Sequence, residues 1–237
     1  MSNEPLAQIP DFLKDYQGRT GVEDISGSDI SFPFLAIGQS MHPMVQTGDI
    51  PPGSIFCPTT GEVFSHGIEK PIKFYPFIFW RTYIKWGERD ESIMLGVESP
   101  GGEAEHSVRA KEMVTRKNGK QEYLWTQYNN YGVVLDGQKD WFVLSCFRTN
   151  IQSSRRLNTM IMRKQPIFSS SYIVETRIKD NKLGKFFVYY FDNDGYITDK
   201  ELFERLRRLN EEVTLIKDNV SMAAQTPVED GDETKVF

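Results

Sequence analysis

The chain has 237 residues, 39% of them hydrophobic and 26% charged, the composition of a soluble globular protein long enough to bury a real core. Its longest apolar run, Phe77 to Trp80, is far too short to span a bilayer, and the opening MSNEPLAQIPDF lacks the regions of a signal peptide, so no membrane partner and a cytoplasmic location are expected. The net charge of −5 hides an asymmetry: residues 105–190 hold 15 Lys and Arg against 7 Asp and Glu, whereas residues 218–237 hold 5 acids and one Lys.

Two distant cysteines, Cys57 and Cys146, form neither a disulfide framework nor a zinc site, and three scattered histidines show no metal spacing. There is also no G-x-S-x-G elbow, no paired-histidine motif and no phosphate loop. These absences predict a binding protein without cofactor or metal, and not an enzyme.

In chain order, residues 1–30 read as a flexible, Gly-containing arm with a short helix that Pro10 would open. Phe32 to Gln39 is a buried strand, and Ser54 to Phe64 a hairpin around Thr59-Thr60-Gly61-Glu62. Ile72 to Trp86, IKFYPFIFWRTYIKW, is the densest aromatic stretch. Its even positions are largely apolar, and its odd positions interleave Lys73, Tyr75, Phe77, Phe79, Arg81, Tyr83 and Lys85. As a strand, the second set presents rings and cations on one face, a pattern that suits single-stranded nucleic acid: rings stack on bases and cations neutralise phosphates. A buried barrel strand would contain the same rings, so core and binding face both stand. Pro76 belongs at an edge or a bulge, and a bulge would exchange the two faces beyond it.

Ile93 to Val97 is a short strand, and Val114 to Trp125 a hairpin turned by Asn118-Gly119. Tyr123, Trp125, Tyr128 and Tyr131 follow as stacking platforms or half-buried sheet residues. Trp141 to Arg148 is an apolar, central strand. Ile151 to Gln165 carries Arg155, Arg156, Arg163 and Lys164 with no acid among them, read as a solvated helix face or as phosphate contacts. Tyr172 to Lys179 and Lys185 to Phe191 make a strand pair. Asp192 to Glu201 resembles a calcium loop, but Tyr190 stands where the first Asp ligand should be. The stretch therefore reads as a turn and a capping box, Thr198 as N-cap with Glu201, opening an amphipathic helix along Leu202, Phe203, Leu206, Leu209, Val213 and Ile216. Residues 218–237 form an acidic tail without core potential, ending in Phe237.

This plan, an aromatic and basic β-rich core followed by an acidic tail with a terminal Phe, resembles the single-stranded DNA-binding proteins of tailed phages. The resemblance implies a mainly β (α+β) fold with an OB-fold-like barrel over 31–217, extra hairpins and a C-terminal helix. It implies binding of single-stranded DNA in replication, recombination and repair within the host cytoplasm. The DNA-binding residues would be Lys73, Tyr75, Phe79, Arg81, Tyr83, Lys85, Tyr123, Trp125, Tyr128, Arg148, Arg155, Arg156, Arg163 and Lys164. By the same resemblance Glu229, Asp230, Asp232, Glu233 and Phe237 would recruit replication proteins such as DNA polymerase and helicase or primase. A homodimer is compatible with the C-terminal helix. The competing expectation is a phage structural or assembly protein, or a modulator of a host enzyme, without nucleic-acid binding.

Overall fold

The computed structural model describes residues 32–87, 94–117, 119, 121–181 and 184–223, with side chains of the last helix as far as Thr214. The N-terminal arm and the tail residues Glu229, Asp230, Asp232, Glu233 and Phe237 lie outside the described residues.

The fold is mainly β, as expected, with a curled half-barrel sheet and a C-terminal helix. The strands are β1 (Phe34–Ile37), β2 (Ile55–Phe56), β3 (Val63–Ser65), β4 (Ile72–Trp86), β5 (Met94–Glu98), β6 (Met113–Thr115), β7 (Gln121–Tyr123), β8 (Thr126–Leu135), β9 (Trp141–Phe147), β10 (Ser170–Asn181) and β11 (Gly184–Tyr196). The helices are α1 (Pro43–Gln46), α2 (Glu103–Ala110), α3 (Ile151–Met162) and α4 (Lys200–Ala223). Nine strands make one sheet in the order β11-β10-β4-β8-β9-β1-β2-β3, with β5 added to β4; β6 and β7 pair separately. Among the described strands, only β1 and β9 pair in parallel.

The sheet curls until β11, at one end of this order, meets β1, near the other. Gln39, just past β1, donates from Nε2 to the Phe187 carbonyl at 2.9 Å and accepts the Phe187 amide at 3.0 Å. The Tyr189 hydroxyl donates to the Leu35 carbonyl at 3.1 Å. A side-chain amide thus does what a ladder would do in a closed barrel, pairing one N–H and one C=O of β11. Gly53 permits the approach of the β2 region, because a Cβ there would stand 2.6 Å from Ile68 and 3.1 Å from Phe187.

Pro76 sits at a bulge. The β4–β8 register passes from Pro76 opposite Val133 to Ile78 opposite Gly132, so Phe77 is the extra residue. Its ring lies over Gly132, where a Cβ would meet the Phe77 Cζ at 2.5 Å. Its carbonyl, freed from the ladder, accepts from Asn210 Nδ2 of α4 at 2.7 Å. The bulge exchanges the faces of β4. Ile72 and Phe74 point into the main core with Val133 and Leu135, and beyond the bulge it is Phe79 that faces this core, against Tyr131. Tyr75, Phe77, Ile78 and Trp80 instead face the opposite side, with Leu206 and Val213 of α4. Neither parity set of β4 is therefore one continuous face.

α3 closes the concave side, with Leu157 and Ile161 buried in the main core, and α4 covers the convex side. α2, for which the sequence reading made no assignment, packs Ala104 and Val108 onto Tyr83 and Trp125. Its ends follow the helix dipole, with Glu103 and Glu105 in the first turn and Arg109 in the last. The cap of α4 corrects the sequence reading. Asp199, and not Thr198, accepts from the Glu201 and Leu202 amides, at 2.8 and 3.2 Å. The helix also runs on to Ala223, into the start of the expected tail.

Candidate nucleic-acid interface

The structure divides the aromatic and cationic residues singled out in the sequence among three places, with Tyr123 apart on the separate β6–β7 hairpin. Beyond the bulge, Phe79, Arg81, Tyr83, Lys85 and Trp125 share the concave side. Arg81 stands 5.9 Å from the centre of the Phe79 ring and donates from Nε to Asn129 Oδ1 at 3.3 Å. Lys85 lies 5.7 Å from the centre of Trp125. Tyr83 is 1% and Trp125 8% exposed beneath α2, and burial raises the Tyr83 hydroxyl pKa. The convex side holds Lys73, Tyr75 and Tyr128. Tyr75 is buried and donates to Asp136 at 2.5 Å; Tyr128 is buried and stacked on Phe147 with centroids 4.6 Å apart. Lys73 pairs with Asp194 at 2.8 Å. That bond raises the lysine's pKa and, together with the Ser171 hydroxyl, lowers the aspartate's.

A ring packed on both faces offers none to a base. Tyr75, Tyr83, Trp125 and Tyr128 are core side chains here, which corrects their reading as stacking platforms. Tyr123, on the β6–β7 hairpin, is 56% exposed, and Phe79 is half-buried and lines a cleft.

The third place is the outer surface of α3 and its flanks. Arg148, Arg155, Arg156 and Arg163 are exposed. No acid occurs from Arg148 to Gln165, and among the described residues Arg148, Arg155 and Arg163 make no ion pair. The inner surface explains why this helix stays in place. Ser154 and Asn158 join the buried Tyr131 hydroxyl, each at 2.7 Å, and Asn129 donates to Ser154 Oγ at 2.7 Å. This network satisfies the polar groups buried where helix meets sheet, and burial raises the Tyr131 pKa.

Sequence reasoning missed the neighbours of this cationic line. Tyr190 and Tyr196 of β11 lie beneath Arg156 and Lys164, with cation-to-centroid distances of 4.3 and 4.5 Å, and Arg177 of β10 also stands over Tyr190. Tyr190 had figured only as the wrong residue for a calcium loop; the alternation of β11 held the available signal. Among the described residues no His, Cys, Asp and Glu cluster is arranged to hold a metal ion, and no helix there is long and apolar enough to cross a membrane. Cys146 is fully buried and its thiol pKa is raised by that burial, the state of an inert core thiol.

The fold and surface together define a mainly β half-barrel, closed by helices and carrying a cationic ridge whose own segment, Arg148 to Gln165, contains no acid. The chain belongs to the Pam3 phage gp34-like protein family, whose model matches residues 2–217, which makes it a phage-type protein. No curated protein and no solved structure matches it.

Proposed function

We propose that the protein binds single-stranded DNA during phage DNA replication, recombination or repair, in the host cytoplasm, by a binding mechanism without catalysis. The observation that carries this reading is the α3 ridge: Arg148, Arg155 and Arg163 without an ion-pair partner among the described residues, flanked by Arg156 and Lys164. A run of cations with no interspersed acid has a net field that a strand's phosphates can neutralise, whereas an ordinary solvated helix face alternates its signs. Phe79, Arg81 and Tyr123 remain accessible enough to contact the strand. The acidic tail, through Glu229, Asp230, Asp232, Glu233 and Phe237, is assigned to recruiting DNA polymerase and helicase or primase, and a homodimer is compatible with this arrangement.

The test is fluorescence anisotropy of a labelled oligo-dT against a duplex of equal length, across salt concentrations. Tight single-strand binding that weakens with salt, with weaker duplex binding, is expected. The Arg155→Ala/Arg163→Ala double variant should lower the slope of log K against log salt by about 1.4, since each lost phosphate contact on a single strand removes roughly 0.7. No single-strand binding at low salt would overturn the reading and favour an assembly or host-modulating role.

A further inference from the structure

Between the C-terminal end of α3, the bulged part of β4 and α4 lies a cleft of about 530 Å³. Its apolar walls are Ile78, Phe79, Ile161 and Met162, and Asn158 and Asn210 stand among them. We infer that this cleft receives one unstacked nucleobase of the bound strand, an inference that rests on the proposed single-strand binding.

Three features of the cleft converge on a base. Its volume falls in the range of small-molecule sites, roughly 300–1,000 Å³, so a base with its sugar fits. Its walls offer the half-buried Phe79 ring and the thioether of Met162, which is 68% exposed; both are surfaces on which a flat heterocycle packs well. Its polar groups are complementary and already fixed. Asn158 Oδ1 accepts the Tyr131 hydroxyl, so Nδ2 is left as a donor. Asn210 Nδ2 donates to the Phe77 carbonyl, so Oδ1 is left as an acceptor. Unpaired bases present both donors and acceptors along their exposed edges, and one oriented amide of each kind suits such an edge.

The rim supplies the charge complementarity. Arg155, Asn158 and Met162 follow one another at i, i+3 and i+7, so they lie along one stripe of α3, and Arg163 adjoins Met162. Residues 155 and 163 are about 12 Å apart along the helix axis, which allows a phosphate on either side of one extruded base. On α4, Glu211, next to Asn210 in sequence, is turned to Arg207 at 3.5 Å. A nucleic-acid strand uses both the apolar walls and the cationic rim.

The test compares an oligo-dT with an abasic deoxyribose-phosphate chain of the same length, with urea midpoints confirming that each variant folds. The natural chain should bind oligo-dT at least about fivefold more tightly than the abasic chain, the scale of one stacked base. Thr214→Phe, placed on the exposed α4 wall to fill the cleft, should abolish most of that difference and leave abasic binding unchanged. Met162→Ala should reduce the difference, whereas Arg155→Ala should weaken both ligands alike. Equal binding of the two ligands by the natural chain, or full oligo-dT affinity in both Thr214→Phe and Met162→Ala, would overturn the cleft assignment and leave phosphate-based strand binding standing. Strong competition by free thymidine monophosphate would reassign the cleft to a mononucleotide and overturn its role in strand binding. No binding of either ligand at low salt would overturn the strand-binding function and the cleft assignment together.

Discussion

Arg177 of β10 holds its guanidinium carbon 3.2 Å from the centre of the Tyr190 ring on β11. Arg156 of α3 approaches the same ring at 4.3 Å, so one tyrosine ties the helix to the hairpin. Both cations also have acids, Arg177 with Glu175 at 2.6 Å and Arg156 with Asp192 at 3.3 Å. The local charge is balanced, which separates this cluster from Arg155, the residue just before Arg156, and from Arg163, two turns further along. The first group fixes the ridge in place, and the second is available to an anion.

Replacing the ring tests that division. Tyr190→Leu removes two cation–ring contacts at a partly exposed site and should cost about 1–2 kcal/mol, read as a lower urea midpoint. Oligo-dT affinity should change by less than twofold, because Arg155 and Arg163 are untouched. An unchanged midpoint with a large loss of affinity would place Tyr190 in the interface instead.

Much of the sheet was legible from the sequence because its signals are local. Asn118-Gly119 announces the β6–β7 turn, and the apolar Trp141–Phe147 run announces a strand flanked on both sides, as β9 is by β8 and β1. The facing of β4 was not legible, because it depends on one bulge. Pro76 raised the alternative, but only the pairing of Ile78 with Gly132 decides it. For the same reason the aromatic residues resisted assignment. A tyrosine in a strand reads alike whether α2 covers it, as at Tyr83, or it is exposed among the described residues, as at Tyr123. The cationic run of α3 was readable because the absence of acids is a property of sequence alone. The cleft beside it was not, since it joins Phe79, Asn158 and Asn210 from three distant segments.

The bulge itself makes a sharp prediction. Gly132→Ala would place a methyl group 2.5 Å from Phe77 Cζ and 2.7 Å from Ile78 Cγ2, against a fully buried ring. Such overpacking should cost about 1–3 kcal/mol, measured by urea unfolding. Gly132→Ala combined with Phe77→Leu should recover part of the loss, because the smaller side chain vacates the contact. If Gly132→Ala unfolds at the same urea concentration as the natural chain, the ring does not occupy this position.

A last prediction concerns alkaline pH. Burial, and then the hydrogen bond to Asp136, pushes Tyr75 from its usual value of 10 up to about 12. The folded pKa lies above the unfolded one, so the contribution to stability is fully present below pH 10. Between pH 10 and about 12 the unfolded chain has released this proton while the folded chain still holds it, so unfolding becomes progressively easier as pH rises. Buried Tyr131, Tyr172 and Tyr189 shift in the same direction and steepen the decline. Tyr75→Phe should cost about 1 kcal/mol near neutral pH, the worth of one hydrogen bond. Above pH 10 its stability should fall less steeply than that of the natural chain. Urea unfolding across this range, with phenolate absorbance followed in parallel, measures both slopes. Identical slopes would mean that the Tyr75 hydroxyl meets solvent and ionises like a free tyrosine.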